Sequence, residues 1–407
     1  MPRVRPFRGL RPTAESAQSI IAPPYDVITS NEARALATDK PNHFLHVSKP
    51  EIDLPRDVPV YDPLVYAKGA ENFQRFIRSG LLLQDDRPCF YLYRLKTMGH
   101  VQTGLAVTVS VEDYENNRIR KHEQTRPDKE DDRVHHMEAL NAQTGPVFLV
   151  YPDDQGVEEL TAESVRAISI YDDLDLSGVK HSLWTVNDSE TIAAVTEIYN
   201  RIPTFYIADG HHRSAAAARV AARREFKDEA ANYFLAVLFP ASQVRILSYN
   251  RVVKDLNGLS PQKFIGRLTQ VFSVSTEESA VQPLETGEFG MYLAGHWYRL
   301  SVTRECLAND GPVTRLDISM LTDRVFQPLL GIDDVRRDPR VEFIGGIRGL
   351  DELVRRVDSG EMAVAFSLFP TPLSSLFAVA DAGKIMPPKS TWFEPKLADG
   401  LISHMLG

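Results

Sequence analysis

The chain contains little sulfur of the kind that builds cross-links, with only Cys89 and Cys306 among its 407 residues. Two thiols so far apart in sequence cannot form the disulfide framework of a small secreted protein or a four-cysteine zinc site. The stretch that follows Met1 lacks the apolar core of a signal peptide. We therefore expect a reducing, cytoplasmic setting.

Long hydrophobic runs are also missing. A membrane-spanning helix needs ~20 consecutive apolar residues, whereas the longest apolar segment, residues 232–240, has the length of a buried strand. We therefore expect no membrane contact. Hydrophobic residues make up 43% of the chain, which is enough for a sizeable core and for one large domain or two to three smaller ones.

Positive charge is in the minority. The chain has 46 Lys and Arg against 55 Asp and Glu, a formal net charge of -9. This balance argues against a surface shaped around nucleic acid. The sequence also lacks the G-x-x-x-x-G-K-[ST] phosphate loop, the G-x-S-x-G nucleophile elbow and the H-E-x-x-H zinc motif.

Strand-like and helix-like segments alternate along most of the chain, which predicts a mixed α/β (α+β) fold. The predicted helices include residues 31–38, 62–79, 157–168, 189–200 and 214–226, and the predicted strands include residues 89–95, 103–111, 147–151, 179–186 and 204–208.

The most informative segment is Asp-Gly-His-His-Arg-Ser at residues 209–214, where an apolar strand runs directly into an alanine-rich helix. Gly210 permits the tight turn. The first amides of a helix have no partner within it, and the helix end carries partial positive charge, so it attracts a phosphate or carboxylate. Arg213 and the histidines add further donors. We predict an anion site here; the alternative is a helix cap at Asp209 with two ordinary polar histidines.

A second segment, residues 120–136, is dense in histidine, arginine, lysine and carboxylate residues. Pro127 suits the first turn of a helix. Positions 129, 133 and 136 then share one face, so that Lys129, Arg133 and His136 line one wall. The preceding loop presents Glu123 and Arg126. The alternative interpretation is a solvated helix face.

Two proline-stiffened segments complete the set of candidates. A proline pair precedes Tyr25 and Asp26, and a carboxylate held in place is a candidate general base. Residues 385–396 contain Lys389 and Lys396 with two aromatic residues, a composition suited to closing over a phosphate or a ring. The alternatives are a structural turn and a surface loop whose aromatic residues fill the core.

Together these segments resemble a large bacterial and archaeal family catalogued as a domain of unknown function. The matching motifs are Ala-Pro-Pro-Tyr-Asp-Val at 22–27, Lys-His-Glu-Gln-Thr-Arg at 121–126, Ala-Asp-Gly-His-His-Arg-Ser-Ala at 208–215 and Met-Pro-Pro-Lys-Ser-Thr-Trp-Phe-Glu-Pro-Lys at 386–396. The turn at 209–213 is also similar to the phosphate-binding box of the ParB and sulfiredoxin-like superfamily, which includes kinases of free L-serine.

The resemblance implies a nucleotide-dependent kinase that phosphorylates the hydroxyl of free L-serine or a similar small molecule, with ATP or ADP and Mg²⁺ as cofactors. It implies a ParB-like nucleotide-binding core over residues 1–258, with an insertion at about 85–145. A C-terminal α+β region over 259–407 contributes the loop at 389–396. The expected partners are the nucleotide and serine, and the expected assembly is a homodimer.

The site residues that the resemblance implies fall into three groups. The catalytic group is Asp26, Glu123 and His122, one of which takes the proton from the substrate hydroxyl. The phosphate-binding and nucleotide-binding group is Asp209, Gly210, His211, His212, Arg213 and Ser214. The group that binds substrate or neutralises phosphoryl charge is Arg126, Arg133, His136, Lys389 and Lys396. Asp209 and Glu123 are also the expected ligands of Mg²⁺.

Two other functions stay open on the sequence. One is a ParB-like nucleotide-gated DNA-binding regulator, although no basic helix-turn-helix module is visible. The other is a metal-dependent hydrolase with a site of two histidines and one carboxylate, although none of the histidines lies in a standard ligand motif. The histidines available for it are His122, His135, His136, His211 and His212.

Overall fold

The computed structural model describes residues 1–164, 169–302 and 311–407. Cys306 and the end of the helix predicted over 157–168 lie outside the described residues. The chain forms two compact units: the first contains Met1–Val244 and Pro395–Gly407, and the second contains Arg245–Glu394. Among the described residues, no helix is both long enough and apolar enough to cross a membrane.

The elements are numbered along the chain. The strands are β1 (Val4–Arg5), β2 (Gly9–Pro12), β3 (Leu82–Gln84), β4 (Phe90–Thr97), β5 (His100–Ser110), β6 (Ile119–Arg120), β7 (Ala142–Gln143), β8 (Val147–Tyr151), β9 (Tyr171–Leu176), β10 (Val179–Val186), β11 (Phe205–Asp209), β12 (Tyr233–Pro240), β13 (Ile246–Leu247), β14 (Tyr249–Val253), β15 (Ser273–Glu277), β16 (Glu288–Leu293), β17 (His296–Ser301), β18 (Val341–Gly345), β19 (Val364–Leu368), β20 (Trp392–Phe393) and β21 (Ser403–Met405). The α-helices are α1 (Ala17–Ile20), α2 (Ser30–Ala37), α3 (Leu45–Ser48), α4 (Pro63–Arg78), α5 (Val111–Glu115), α6 (Pro127–Leu140), α7 (Gln155–Ser164), α8 (Ser189–Tyr199), α9 (His211–Arg223), α10 (Pro261–Leu268), α11 (Asp317–Leu321), α12 (Asp351–Asp358) and α13 (Leu373–Asp381).

A mixed sheet forms the centre of the first unit. Its strand order is β6-β11-β8-β12-β5-β4-β10-β9, and β1 pairs with β5 beside this path. Strand β8 runs parallel to β12 and antiparallel to β11. All residues of β8 and β12 are buried, as their continuous apolar sequence predicts for central strands. The prediction of a mixed α/β fold is confirmed.

Helices α6 and α9 pack against each other beside this sheet. The small residues Ala216, Ala217 and Ala221 of α9 are buried in the same core cluster as Val134 and Met137 of α6. Because alanine side chains are short, α9 can lie close to its neighbours, and its first turn is fixed beside the end of β11. The residues predicted as an insertion, about 85–145, supply β4, β5 and α6 to this unit.

The C-terminal segment returns to the first unit. Strand β21 pairs with β2 and with β7, and Asp399 forms an antiparallel bridge with Ala22. This pairing brings the last residues of the chain beside the N-terminal segment that carries Asp26.

The second unit is built on a six-stranded sheet with the order β15-β17-β16-β19-β14-β18. Its core contains Val252, Tyr292, Trp297 and Leu353. Strands β16 and β17 of this sheet form an antiparallel hairpin. Strands β13 and β20 form a separate pair.

Candidate functional site

The turn between β11 and α9 requires glycine. Gly210 has φ +99°, in the left-handed region, and it precedes the first residue of α9 without a side-chain cap. A Cβ atom there would lie 3.2 Å from the guanidinium of Arg213 and 3.3 Å from the Cα of Val147. Backbone conformation and crowding therefore both disfavour a side chain at this position. The residue at the N-cap of α9 is Gly210 and not Asp209, which the alternative interpretation made the cap.

We expect Gly210→Ala to destabilise the fold more than Gly80→Ala does. Gly80 also has a positive φ, but a Cβ there would meet no atom within 4 Å. The control therefore reports the backbone penalty alone, about 1–2 kcal/mol, and crowding adds about 1–3 kcal/mol at Gly210. Urea unfolding of both variants measures the difference, and equal losses would contradict the steric argument.

The buried Arg213 side chain lies at the centre of a charge cluster that reaches the surface. Its Nη2 is 3.1 Å from the Asp209 carboxylate and 3.6 Å from that of Asp26, and its Nη1 donates to the carbonyl of Pro146. Burial opposes the charge, but the carboxylates outweigh it and raise the pKa of Arg213 above its ordinary value. Its Nε is buried and has no hydrogen-bond partner, so one donor of this cation is unsatisfied.

Asp209 is held between two cations. Besides Arg213, its Oδ2 faces the Nζ of Lys396 at 3.6 Å. Burial favours the neutral acid, yet the charges of Lys396 and Arg213 hold the pKa of Asp209 below its usual range. The structure thus brings together Asp26, Asp209, Arg213 and Lys396, which the sequence predicted from three separate segments.

His122 and His211 form a buried pair of neutral rings. Their ring centroids are 4.5 Å apart and nearly perpendicular, and the backbone N–H of His122 donates to Nε2 of His211 at 3.4 Å. Burial lowers the pKa of His122 to about 4 and that of His211 well below its ordinary value. Because Nε2 of His211 accepts, its proton lies on Nδ1, which faces the Glu123 carboxylate at 3.6 Å.

His212 and Ser214, the remaining residues of the turn, also have hydrogen-bond partners. Nε2 of His212 accepts from the backbone N–H of Arg126 at 3.1 Å, while the exposed Arg126 side chain pairs with Asp128 at 2.8 Å. The Ser214 hydroxyl donates to the His211 carbonyl at 3.0 Å. Ser214 therefore hydrogen-bonds within its own helix.

Arg133 lines a small cavity next to Arg213. Its guanidinium carbon lies 3.9 Å from the centroid of the Tyr25 ring, and its Nη2 donates to Asp132 at 2.7 Å. His136 lines the same cavity and contacts the Val47 carbonyl through Nε2 at 2.9 Å. Burial lowers the pKa of His136 to about 4, so the ring is neutral near pH 7. Of these two cavity residues, Arg133 therefore supplies the positive charge.

Asp399 lines the same cavity and lies outside every motif that the sequence singled out. It is 1% exposed, and one of its carboxylate oxygens, Oδ1, is buried without a hydrogen-bond partner. Burial raises its pKa to about 7, against the opposing effect of Arg213. A Cβ at Gly145 would lie 3.3 Å from this oxygen and from Cδ of Arg213, so the glycine leaves the space beside both groups open.

The raised pKa of Asp399 predicts that the free energy of unfolding decreases as the pH rises. The folded-state value of about 7 lies above the ~3.9 of an unfolded aspartate, so folding favours the protonated form. This stabilisation is present below about pH 4 and is lost as the pH rises through 7. Relative to Asp399→Asn, the wild type should lose on the order of 3 kcal/mol between about pH 4 and pH 8. Urea unfolding at both pH values tests this, and a difference independent of pH would contradict it.

Lys389 belongs to the second unit. It is exposed, has a positive φ of 56°, and its carbonyl accepts from Nη2 of the buried Arg251 at 2.8 Å. Its predicted contact with phosphate or substrate stays a prediction.

The donor set for a metal ion is sparse. The described residues hold no group of three or more His, Cys, Asp or Glu side chains that could bind a metal, which leaves the hydrolase hypothesis without a ligand set. The predicted Mg²⁺ ligand Asp209 is already paired with Arg213 and Lys396. These residues do not form a Mg²⁺ site by themselves.

The fold and the cluster define a mixed α/β protein in which a strand-turn-helix unit carries a charge cluster around Arg213. Residues 4–319 match the family model described as "Protein of unknown function (DUF1015)", and the chain belongs to this family. No curated protein matches the chain.

Three solved structures show a distant likeness. A free serine kinase in complex with AMP is 13% identical, with a TM-score of 0.34 over 71% of this chain and 86% of that one. A conserved hypothetical protein from Pyrococcus furiosus is 15% identical, with a TM-score of 0.34 over 72% of this chain and 93% of that one. SbnI with a C-terminal truncation from Staphylococcus aureus is 11% identical, with a TM-score of 0.37 over 72% of this chain and 85% of that one. At these values the likeness assigns no role to any residue.

Proposed function

We propose that this protein is a nucleotide-dependent kinase that phosphorylates the hydroxyl of free L-serine or a similar small molecule. The observation that carries the proposal is the first turn of α9, where the buried Arg213 keeps one donor unpartnered and lies within 3.6 Å of a carboxylate from a second segment, Asp26. In this proposal the unit Met1–Val244 with Pro395–Gly407 is a ParB-like nucleotide-binding core.

The phosphates of ATP or ADP bind at the turn between β11 and α9. The amides of residues 210–213 point out of the helix end, and Arg213 and Lys396 supply two positive charges. His211 and His212 contribute as neutral rings, because burial lowers the pKa of both. An arriving phosphate competes with Asp26 for the guanidinium of Arg213 and so releases the Asp26 carboxylate.

Asp26 then acts as the general base. The substrate oxygen attacks the terminal phosphorus, its proton passes to Asp26, and the bond between that phosphorus and the bridging oxygen breaks. The products are the phosphorylated hydroxyl compound and the nucleotide shortened by one phosphate. Positioning and charge carry most of such a transfer, and Arg133 offers a second cation beside Arg213. Glu123 and His122 are the alternative bases.

Mg²⁺ bound to a nucleotide would neutralise phosphate charge. The paired state of Asp209 argues against a direct bond from this carboxylate, and Mg²⁺ commonly keeps several waters and phosphate oxygens as ligands. We therefore assign this chain's contribution to the cations Arg213 and Lys396, and derive no step from the metal.

Calorimetry with ATP, ADP, AMP and adenosine tests the binding half of the proposal. Because the contacts are made to phosphate, ADP should bind at least about tenfold more tightly than adenosine. Equal affinities for ADP and adenosine would contradict a phosphate site at Arg213.

A further inference from the structure

One residue of the C-terminal segment accepts hydrogen bonds from both sides of a proline pair. Pro23 and Pro24 have no N–H, so the main-chain donors that flank them are those of Ala22 and Tyr25. Ala22 donates to the main-chain oxygen of Asp399 at 3.1 Å, and Tyr25 donates to its carboxylate Oδ2 at 3.2 Å. The segment 22–25, which directly precedes Asp26, is thus held at both ends by one residue.

Asp399 is itself anchored in the first unit. Its own N–H donates to the Ala22 carbonyl at 2.9 Å. The N–H of Ala398 donates to the Tyr93 hydroxyl at 3.2 Å, which contacts Nδ1 of His181 at 2.7 Å. The acceptor for Tyr25 is therefore part of a buried, hydrogen-bonded framework rather than of a loose tail.

The segment 22–25 leads directly to the charge cluster around Arg213. The Tyr25 ring lies 3.9 Å from the guanidinium carbon of Arg133, and the next residue, Asp26, faces Arg213 at 3.6 Å. Asp26 itself is exposed. A displacement of the backbone at Tyr25 would therefore move the Asp26 carboxylate away from Arg213.

We propose that Asp399 is a positioning residue, which fixes Tyr25 through its side chain and thereby places Asp26 against Arg213. The functional consequence rests on the proposed kinase activity, in which Asp26 is the base. The positioning role requires a side-chain oxygen that accepts from the Tyr25 N–H, and it requires no charge. The second carboxylate oxygen, Oδ1, has no hydrogen-bond partner, so its replacement by an amide nitrogen breaks no hydrogen bond. Asparagine should therefore replace Asp399 in this role, whereas alanine should not.

Hydrogen exchange of the full chain tests the placement without any nucleotide. Between Ala22 and Tyr25 no other exchangeable amide intervenes, and a peptide over residues 20–28, resolved to single residues by fragmentation, separates these two amides from those of Asp26, Val27 and Ile28. Asp399→Ala should speed exchange at Tyr25 roughly tenfold, the effect of losing one buried hydrogen bond. Asp399→Asn should stay within about twofold of the wild type, as should the control Asp57→Ala at an exposed position.

Kinetics of the same variants test the consequence. Asp399→Ala should lower kcat by about tenfold or more while ADP affinity changes less than about threefold, and Asp399→Asn should restore kcat. Loss of Tyr25 protection or of kcat in Asp399→Asn equal to that in Asp399→Ala would overturn the proposal, as would unchanged exchange in Asp399→Ala. If the alanine variant does not fold, fast Tyr25 exchange in folded Asp399→Asn overturns it. If the wild type transfers no phosphate, only the kinase proposal fails, because the exchange result needs no activity.

Discussion

Arg213→Ala should abolish measurable binding of ATP and ADP. Arg213 is the cation at the first helical turn, and its guanidinium already contacts Asp26 and Asp209, which would be left facing each other across the vacated space. Loss of a charge-assisted contact to phosphate and exposure of two carboxylates to an anion act in the same direction. We expect Kd for ADP to rise by at least about a hundredfold, measured by calorimetry.

Arg219→Ala is the matched control for that loss. Arg219 lies on the same helix, α9, but it is partly exposed and pairs with Glu130 and Asp131. The control should bind ADP with an affinity within about twofold of the wild type, since surface ion pairs contribute little. Nucleotide binding that survives in folded Arg213→Ala would contradict the assignment of the phosphate site to this turn.

Asp26→Asn should lower turnover while leaving the nucleotide affinity nearly intact. A general base contributes about 10²–10⁴ to the rate, so kcat should fall within that range. The neutral amide competes less with phosphate for Arg213, so Kd for ADP should stay the same or decrease. Steady-state kinetics and calorimetry on one preparation separate the two effects.

The variant Glu123→Gln tests whether Glu123, rather than Asp26, is the general base. Glu123 faces Nδ1 of His211, whereas Asp26 faces the guanidinium of Arg213. Substitution of Glu123 should therefore reduce kcat far less than Asp26→Asn does. A larger loss in Glu123→Gln, or equal losses of kcat and affinity in Asp26→Asn, would remove Asp26 as the base.

The strand-turn-helix at 205–223 was predictable because several local signals agree. An apolar strand, a glycine that tolerates positive φ and a run of alanines predict the turn and its helix. The predicted helix began at residue 214, whereas α9 begins at His211. The helix predicted over 62–79 is confirmed as Pro63–Arg78, which has a proline in its first turn and ends before Gly80.

Two elements of the fold, β9 and α13, have no such local signal in their sequence. Strand β9 was missed because its sequence, Tyr-Asp-Asp-Leu-Asp-Leu, is acidic, and its three aspartates are exposed. It lies at the edge of the sheet and is stabilised by pairing with β10. Helix α13 was missed because Leu373–Asp381 is apolar enough to read as a buried segment of either type. Whether such a segment forms a strand or a helix depends on its tertiary contacts, and these cannot be deduced from the local sequence.

The candidate site was predictable only in its motif residues. Asp26, Asp209, Arg213 and Lys396 were found because each lies in a distinctive local pattern. Asp399 stands in the plain sequence Lys-Leu-Ala-Asp-Gly at 396–400, and its role depends on a bridge to Ala22, 377 positions earlier in the chain. Long-range pairing of this kind has no signature in a single sequence.

The most direct test of the proposed kinase is phosphotransfer to a free amino acid. The purified full-length protein is incubated with ATP or ADP, Mg²⁺ and serine, alongside a panel of other hydroxyl compounds, and the products are identified by phosphorus NMR. We predict phosphoserine, or the phosphate ester of a similar small hydroxyl compound, formed by the wild type and absent with Arg213→Ala. Absence of any phosphate ester from either donor with every acceptor, from folded wild-type protein that binds ADP, would contradict the proposed function.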